Sequence, residues 1–163
     1  MHGQGGNDGF VLGGDGNDVL SPGAGAFTYT GTVEGGAGRD RIIIDQNGVN
    51  DIFGGPGRDT IDFRNAPVGV NVDLRYGQFL DATLTGGIGY MVFEVEVVFG
   101  SDFADVIKGN SRANRLYGNG GDDALYGRGG DDLLNGGPGT DALYGGLGQD
   151  TCLLGALSGC ELP

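Results

Sequence analysis

The sequence predicts an all-β repeat fold that turns one corner and lays down one short strand every nine residues, and three observations predict it. The stretch "GNGGDDALYGRGGDDLLNGGPGTDALYGG", residues 118–146, returns to nearly the same nine letters each time. Nine is neither the 3.6 of a helix nor the 2 of a strand, so the repeat describes a unit larger than one element. Each unit opens on glycine, which supplies corners where φ is positive, and carries one large apolar residue, enough for the single inward position of a three-residue strand.

Composition narrows the class. With 38 glycines and 5 prolines among 163 residues the chain would count as low-complexity were it not periodic. Ordering so many glycines costs roughly 1–2 kcal/mol per residue of backbone entropy, so a thin apolar core needs a further source of stability. The formal net charge is −13, and 18 of the 22 acidic residues are aspartate, a turn former and oxygen ligand. Nine scattered basic residues leave no polybasic run, which excludes nucleic acid and anionic membranes as partners and makes a cation the natural one. No apolar stretch approaches a membrane span. "HGQGGND" already reads as repeat from residue 2, so the chain is expected to be part of a longer polypeptide.

From Gly100 the chain divides into GSDFADVIK, GNSRANRLY, GNGGDDALY, GRGGDDLLN, GGPGTDALY and GGLGQDTCL. Position six holds Asp105, Asn114, Asp123, Asp132, Asp141 and Asp150; position eight holds Ile107, Leu116, Leu125, Leu134, Leu143 and Cys152. The N-terminal third carries the same pattern less regularly, in GGDGNDVLS, GGAGRDRII and GGPGRDTID, with position six at Asp18, Asp40 and Asp59. "GQGGNDGFV" and "IDQNGVNDIF" are looser copies, and in "PGAGAFTYT" Phe27 stands where the aspartate belongs, which predicts a dead half-site.

These strings resemble the RTX, or haemolysin-type, calcium-binding repeat GGxGxDxUx, U being a large apolar residue, over about residues 3–62 and 100–153. The resemblance implies a right-handed parallel β-roll in which GGxGxD turns, xUx forms a strand, two nonapeptides make one coil of 18 residues, and calcium ions lie between stacked turns. Aspartates 18 residues apart would then sit one rung apart, about 4.8 Å. Two carboxylates at about 5 Å repel by roughly 3 kcal/mol at an effective dielectric of 20, and a divalent cation between them turns that repulsion into attraction. Calcium suits oxygen ligands in adaptable geometry, whereas magnesium wants a stricter octahedron and soft metals want sulfur or imidazole. The implied ligand set is Asp18, Asp40, Asp59, Asp105, Asn114, Asp123, Asp132, Asp141 and Asp150, paired as Asp18–Asp40, Asp40–Asp59, Asp105–Asp123, Asn114–Asp132, Asp123–Asp141 and Asp132–Asp150. Asn114 weakens its pair because an amide brings no charge. About six ions bring roughly +12 against the −13 of the chain. Asp-Gly turn chemistry in a metal-free solenoid is the plainer alternative. Asp122 and Asp131, at position five, are expected to face solvent.

Residues 63–99 interrupt the repeat. Val68, Val70, Val72 and Leu74 alternate with polar or small residues as a strand with one buried face, and "MVFEVEVVF" reads as a second strand. Both are similar to segments that separate repeat blocks in RTX proteins, continuing the roll with broader rungs. Counting back nine from Ile107 puts Val98 inside, while alternation puts Phe93, Val95 and Val97 inside, and a bulge near Val97 would satisfy both. Glu94 and Glu96 read as solvated strand charges, with calcium ligation as the alternative.

Cys152 and Cys160 are the only cysteines, fitting either one disulfide in an oxidising compartment or two free thiols, and the lone His2 leaves zinc without a ligand set. In the roll Cys160 falls one residue short of a plug position, so a disulfide requires the last strand to taper inward and cap the core. The ending is similar to those of exported actinobacterial calcium-repeat proteins, without the long secretion segment of type I export.

The sequence holds no G-x-S-x-G, H-E-x-x-H or G-K-[ST] motif, so no enzyme is expected here, and no glutamate closes a twelve-residue EF-hand loop. Tyr126 and Tyr144 stack at position nine, where a tyrosine ladder could hold a sugar; Tyr117 lies on the opposite face. The whole reads as one β-roll domain over 1–163: first block 3–62, broader segment 63–99, second block 100–153 and cap 154–163. Its expected role is a monomeric calcium-binding structural module of a bacterial extracellular protein, supporting the folding, secretion or display of attached domains; a polysaccharide-binding or adhesive roll is the second reading.

Overall fold

The computed structural model describes residues 10–21, 31–44, 51–75, 91–154, 156–158 and 160, and among them every regular element is a β-strand. The Phe27 position and the first seven residues of "GQGGNDGFV" lie outside the described residues. All strands pair in parallel, and the chain coils as a β-solenoid of about six turns, a parallel β-roll.

One face of the roll is a continuous seven-stranded sheet: β2 (Val19–Leu20), β4 (Arg41–Ile43), β6 (Thr60–Asp62), β9 (Val97–Phe99), β11 (Arg115–Tyr117), β13 (Leu133–Asn135) and β15 (Thr151–Leu153). The opposite face is split in two. Four strands, β1 (Phe10–Asp15), β3 (Thr32–Ala37), β5 (Asp51–Phe53) and β8 (Met91–Phe93), form one sheet. Five strands, β7 (Asn71–Asp73), β10 (Val106–Lys108), β12 (Ala124–Gly129), β14 (Ala142–Leu147) and β16 (Ala156–Ser158), form the other.

The register follows the nonapeptide. Ile107 lies beside Leu125 and Leu125 beside Leu143 on one face, while Leu116 lies beside Leu134 and Leu134 beside Cys152 on the other. All six are buried, and with Leu20, Ile42, Ile61, Val98, Val33, Ile52, Val72 and Val92 they form one thin core. Each plug stabilises the roll by about 1.5–3 kcal/mol through removal from water. The irregular first rung turns Val11 inward and leaves Phe10 71% exposed.

The interruption departs from a broader rung. After β6 the chain leaves rung order: β7 pairs with β10, a strand laid down later, and β8 then returns to pair with β5. Within the expected first strand Val70, Val72 and Leu74 are buried, but Val68 is exposed. "MVFEVEVVF" forms two strands on opposite faces, because Glu94 turns the chain with φ 55°. Val92, Val95 and Val98 all reach the core by this corner, without a bulge at Val97, and Phe93 points outward to stack on Phe53 at 4.8 Å.

Two aspartates tie the interruption down. Asp62, at the outward end of β6, accepts hydrogen bonds from Arg41 and Arg64, and the Arg64 guanidinium lies 4.7 Å over Phe99, itself stacked on Tyr117. Burial would raise the Asp62 carboxyl, but its hydrogen bonds from Arg64 and Arg41 win and hold it at about 2. Asp73 accepts from Arg75 and, at 2.6 and 2.8 Å, from Arg128, which also donates to the Gly109 carbonyl. That grip accompanies the left-handed φ of 77° at Arg128, at a corner position that Gly14, Gly36, Gly55, Gly137 and Gly146 hold in other repeats and where Asn119 shares the left-handed conformation.

At the C-terminal end Cys152 and Cys160 are disulfide-bonded with Cα atoms 5.8 Å apart, so the chain after β15 does draw in over the last plug.

Since the core is one residue thick on each side, a cavity has little around it that can collapse. Leu125→Ala is expected to destabilise the calcium-saturated roll by about 2–5 kcal/mol, read from the urea unfolding midpoint; a loss under about 1 kcal/mol would contradict this packing.

Candidate metal centre

Every position-six side chain precedes the strand that carries its plug, so rung stacking lines these side chains up along the two edges of the roll. On one edge the peptide N–H of Asp18 donates to Asp40 Oδ1 at 2.8 Å, Asp40 N–H to Asp59 Oδ1 at 2.8 Å, Asn114 N–H to Asp132 Oδ1 at 2.7 Å and Asp132 N–H to Asp150 Oδ1 at 3.0 Å. On the other edge Asp105 N–H donates to Asp123 Oδ1 at 2.8 Å and Asp123 N–H to Asp141 Oδ1 at 3.0 Å. The six pairs expected from the repeat are thus the six the structure brings together.

Oδ1 of Asp40, Asp59, Asp123, Asp132, Asp141 and Asp150 is spent on the neighbouring rung. Oδ2 of Asp18, Asp40, Asp59, Asp123, Asp132 and Asp141 is buried without a hydrogen-bond donor. It turns back over the glycine that opens its own repeat. A methyl group built on Gly35 would stand 2.5 Å from the Gly54 carbonyl oxygen and 2.6 Å from Asp40 Oδ2, so glycine is required there because two oxygens share that space. A buried carboxylate oxygen without a donor is costly unless something positive meets it. The corner fits a hard cation: an unpaired carboxylate oxygen, a carbonyl oxygen from the next rung, and no side chain between them. Among the described residues no three His, Cys, Asp or Glu side chains converge, so backbone carbonyls must supply much of any coordination shell.

Two corners differ. "GSDFAD" and "GNSRAN" lack the second and fourth glycines, and their position-two residues turn inward. Ser101 N–H donates to Asp105 Oδ2 at 2.7 Å, while Ser101 Oγ–H and Val70 N–H donate to Asp105 Oδ1. Asn110 N–H donates to Asn114 Oδ1 at 2.8 Å. Protein donors there do what the other corners leave undone.

Asp122 and Asp131 are exposed, as expected, and add an outer ladder in which Asp122 accepts from Thr140 N–H and Asp131 from Gln149 N–H. Glu94 is exposed, but Glu96 is not a solvated strand charge: its Oε2 accepts from Asp59 N–H at 3.0 Å, the role played elsewhere by the next aspartate. The missed signal was its offset. Glu96 stands two residues before the plug Val98, as Asp132 does before Leu134. Tyr126 and Tyr144 stack on each other at 4.8 Å.

Burial raises four of these carboxyls, with adjacent acids adding to it. Asp123 is pushed up to about 7, beside Asp105 and Asp141, and Asp132 to about 6, beside Asp150 and Asp131. Asp59 also rises to about 6, beside Asp40, and Asp105 rises by burial. A carboxyl raised from the ordinary 3.8 binds its proton more tightly in the folded chain, so its stabilisation is complete below about 3.8 and lost as pH climbs through about 6 to 7. Circular dichroism of the metal-stripped chain is therefore expected to gain β signal on acidification from about pH 8 to about pH 5, and a loss over that window would refute the assignment.

A family model for the RTX calcium-binding nonapeptide repeat matches residues 28–61, 99–134 and 125–152, more than half of the chain. No curated protein matches it. The matched segments hold all the regular corners but that of Asp18, together with the two that differ, and the fold is the roll their period implies. The chain belongs to the RTX family of calcium-binding nonapeptide-repeat proteins.

Proposed function

We propose that this calcium-binding repeat module folds when it meets extracellular calcium, and that this coupling supports the folding, secretion or display of a larger exported protein to which it is attached. The observation that carries the reading is the row of buried Oδ2 atoms without donors, at Asp18, Asp40, Asp59, Asp123, Asp132 and Asp141. Without a cation those edges oppose folding; with one at each gap they favour it.

The ions lie between stacked turns, held by Asp18, Asp40, Asp59, Asp105, Asn114, Asp123, Asp132, Asp141 and Asp150 together with corner carbonyls. Calcium fills Asp18–Asp40, Asp40–Asp59, Asp123–Asp141 and Asp132–Asp150 first. Asp105–Asp123 and Asn114–Asp132, whose leading residues already have protein donors, complete a total of about six. Extracellular modules of this kind bind with dissociation constants of about 0.1–1 mM, above calcium levels inside cells and near those outside. Residues 1–163 act as one roll without catalysis, and as a monomer. The sugar-platform reading has less support, since Tyr126 and Tyr144 use a ring face on each other.

Circular dichroism with saturating calcium and with excess EGTA tests the coupling: a large, reversible loss of β signal is expected on chelation, and an unchanged spectrum would sink it. Asp141→Asn is expected to raise the calcium concentration at the folding midpoint several-fold while leaving the saturated spectrum intact.

A further inference from the structure

We infer that Asp59 and Glu96 form an additional calcium site, outside the repeat motif, that closes the roll where β6 meets β9. The inference rests on the calcium reading above and extends it to Glu96, which neither the repeat pattern nor the family match covers, since the matched segments end at residue 61 and resume at 99.

The rungs on either side are direct neighbours although residues 63–90 separate them in sequence. β5 pairs with β8, Ile52 beside Val92, and β6 pairs with β9, Thr60 beside Val97 and Ile61 beside Val98. Asp59 and Glu96 each stand one residue before these paired strands, in the relation Asp40 and Asp59 have one rung earlier. Glu96 Oε2 accepts from Asp59 N–H at 3.0 Å, as Asp59 Oδ1 accepts from Asp40 N–H at 2.8 Å.

The second half of the corner is also present. Asp59 is fully buried and its Oδ2 has no donor. A methyl group on Gly54 would come 2.9 Å from that Oδ2 and would collide with the carbonyl oxygen of Glu94, which takes the place of the next rung's opening glycine. The regular corner spends four residues between the one that carries that carbonyl and the carboxylate; here only Val95 separates Glu94 from Glu96. The left-handed Glu94 and one extra methylene in the Glu96 side chain recover the reach that the missing residues would have given. Neither Asp59 nor Glu96 forms an ion pair with Arg or Lys among the described residues. Two carboxylates and a carbonyl around a buried, donorless oxygen suit calcium. The ion would extend the first edge to Asp18–Asp40–Asp59–Glu96 and hold the point where the chain leaves and rejoins the coil.

Native mass spectrometry of the full chain in calcium, with folding checked by circular dichroism, tests the site. Glu96→Gln keeps the acceptor and removes the charge, and is expected to bind one calcium ion fewer than the parent chain. Glu96→Asp, with the charge but not the reach, is expected to lose the same ion, and Glu94→Ala, which keeps the carbonyl, to retain it. Asp141→Asn serves as the regular-site control. If it loses an ion while Glu96→Gln keeps the full count, the inference falls and the calcium reading stands. If the parent chain binds none, both fall. Should Glu96→Gln not fold, calcium anomalous scattering from crystals of the parent chain decides the matter: a peak between Asp59 and Glu96 is expected, and its absence with peaks at the regular corners overturns the site.

Discussion

Carboxylates stacked one rung apart are the constraint on which this roll depends. Each aspartate at position six gives one oxygen to the peptide N–H of the preceding rung and buries the other over its own opening glycine. The first contact fixes rung spacing and register, because it joins backbone to side chain between neighbouring coils. The second leaves charge where water does not reach. A thin core of single plugs cannot offset that charge repeatedly, so the edges that define the coil also make it dependent on cations.

The interruption meets the same problem by other means. Asp62 at its near end and Asp73 within it carry two arginines each, and the charge at these sites is settled within the protein. Ser101 and Asn110 settle the corners that follow. The middle of the roll is therefore held by ion pairs, hydrogen bonds and the Arg64–Phe99–Tyr117 stack, while the arms on either side carry the donorless carboxylates. One chain combines two ways of neutralising buried acids, and only one of them responds to calcium.

What could be read directly from the letters was whatever repeats. The plugs Ile107 to Cys152 and the pairs Asp18–Asp40 through Asp132–Asp150 were legible because a strictly periodic unit places equivalent residues on one line whatever the details of its corners. The irregular parts were not. In "MVFEVEVVF" strand-like alternation outweighed the offset between Glu96 and Val98, and a left-handed glutamate gave no local sign that the chain would turn there. Ser101 looked like a departure from the motif, whereas its N–H and hydroxyl both serve Asp105.

By itself the sequence determined the period, the all-β coil, the identity of the plugs and the line of acids, because these follow from spacing along the chain and from the few chemistries that glycine, aspartate and leucine permit at a corner. Only the tertiary structure decided that β7 lies beside β10 and β8 beside β5, that Cys152 reaches Cys160, and that Glu96 joins a ladder of aspartates. Those outcomes depend on which distant segments meet, and pairing between strands far apart in sequence is set by packing across the whole coil, which no local pattern encodes.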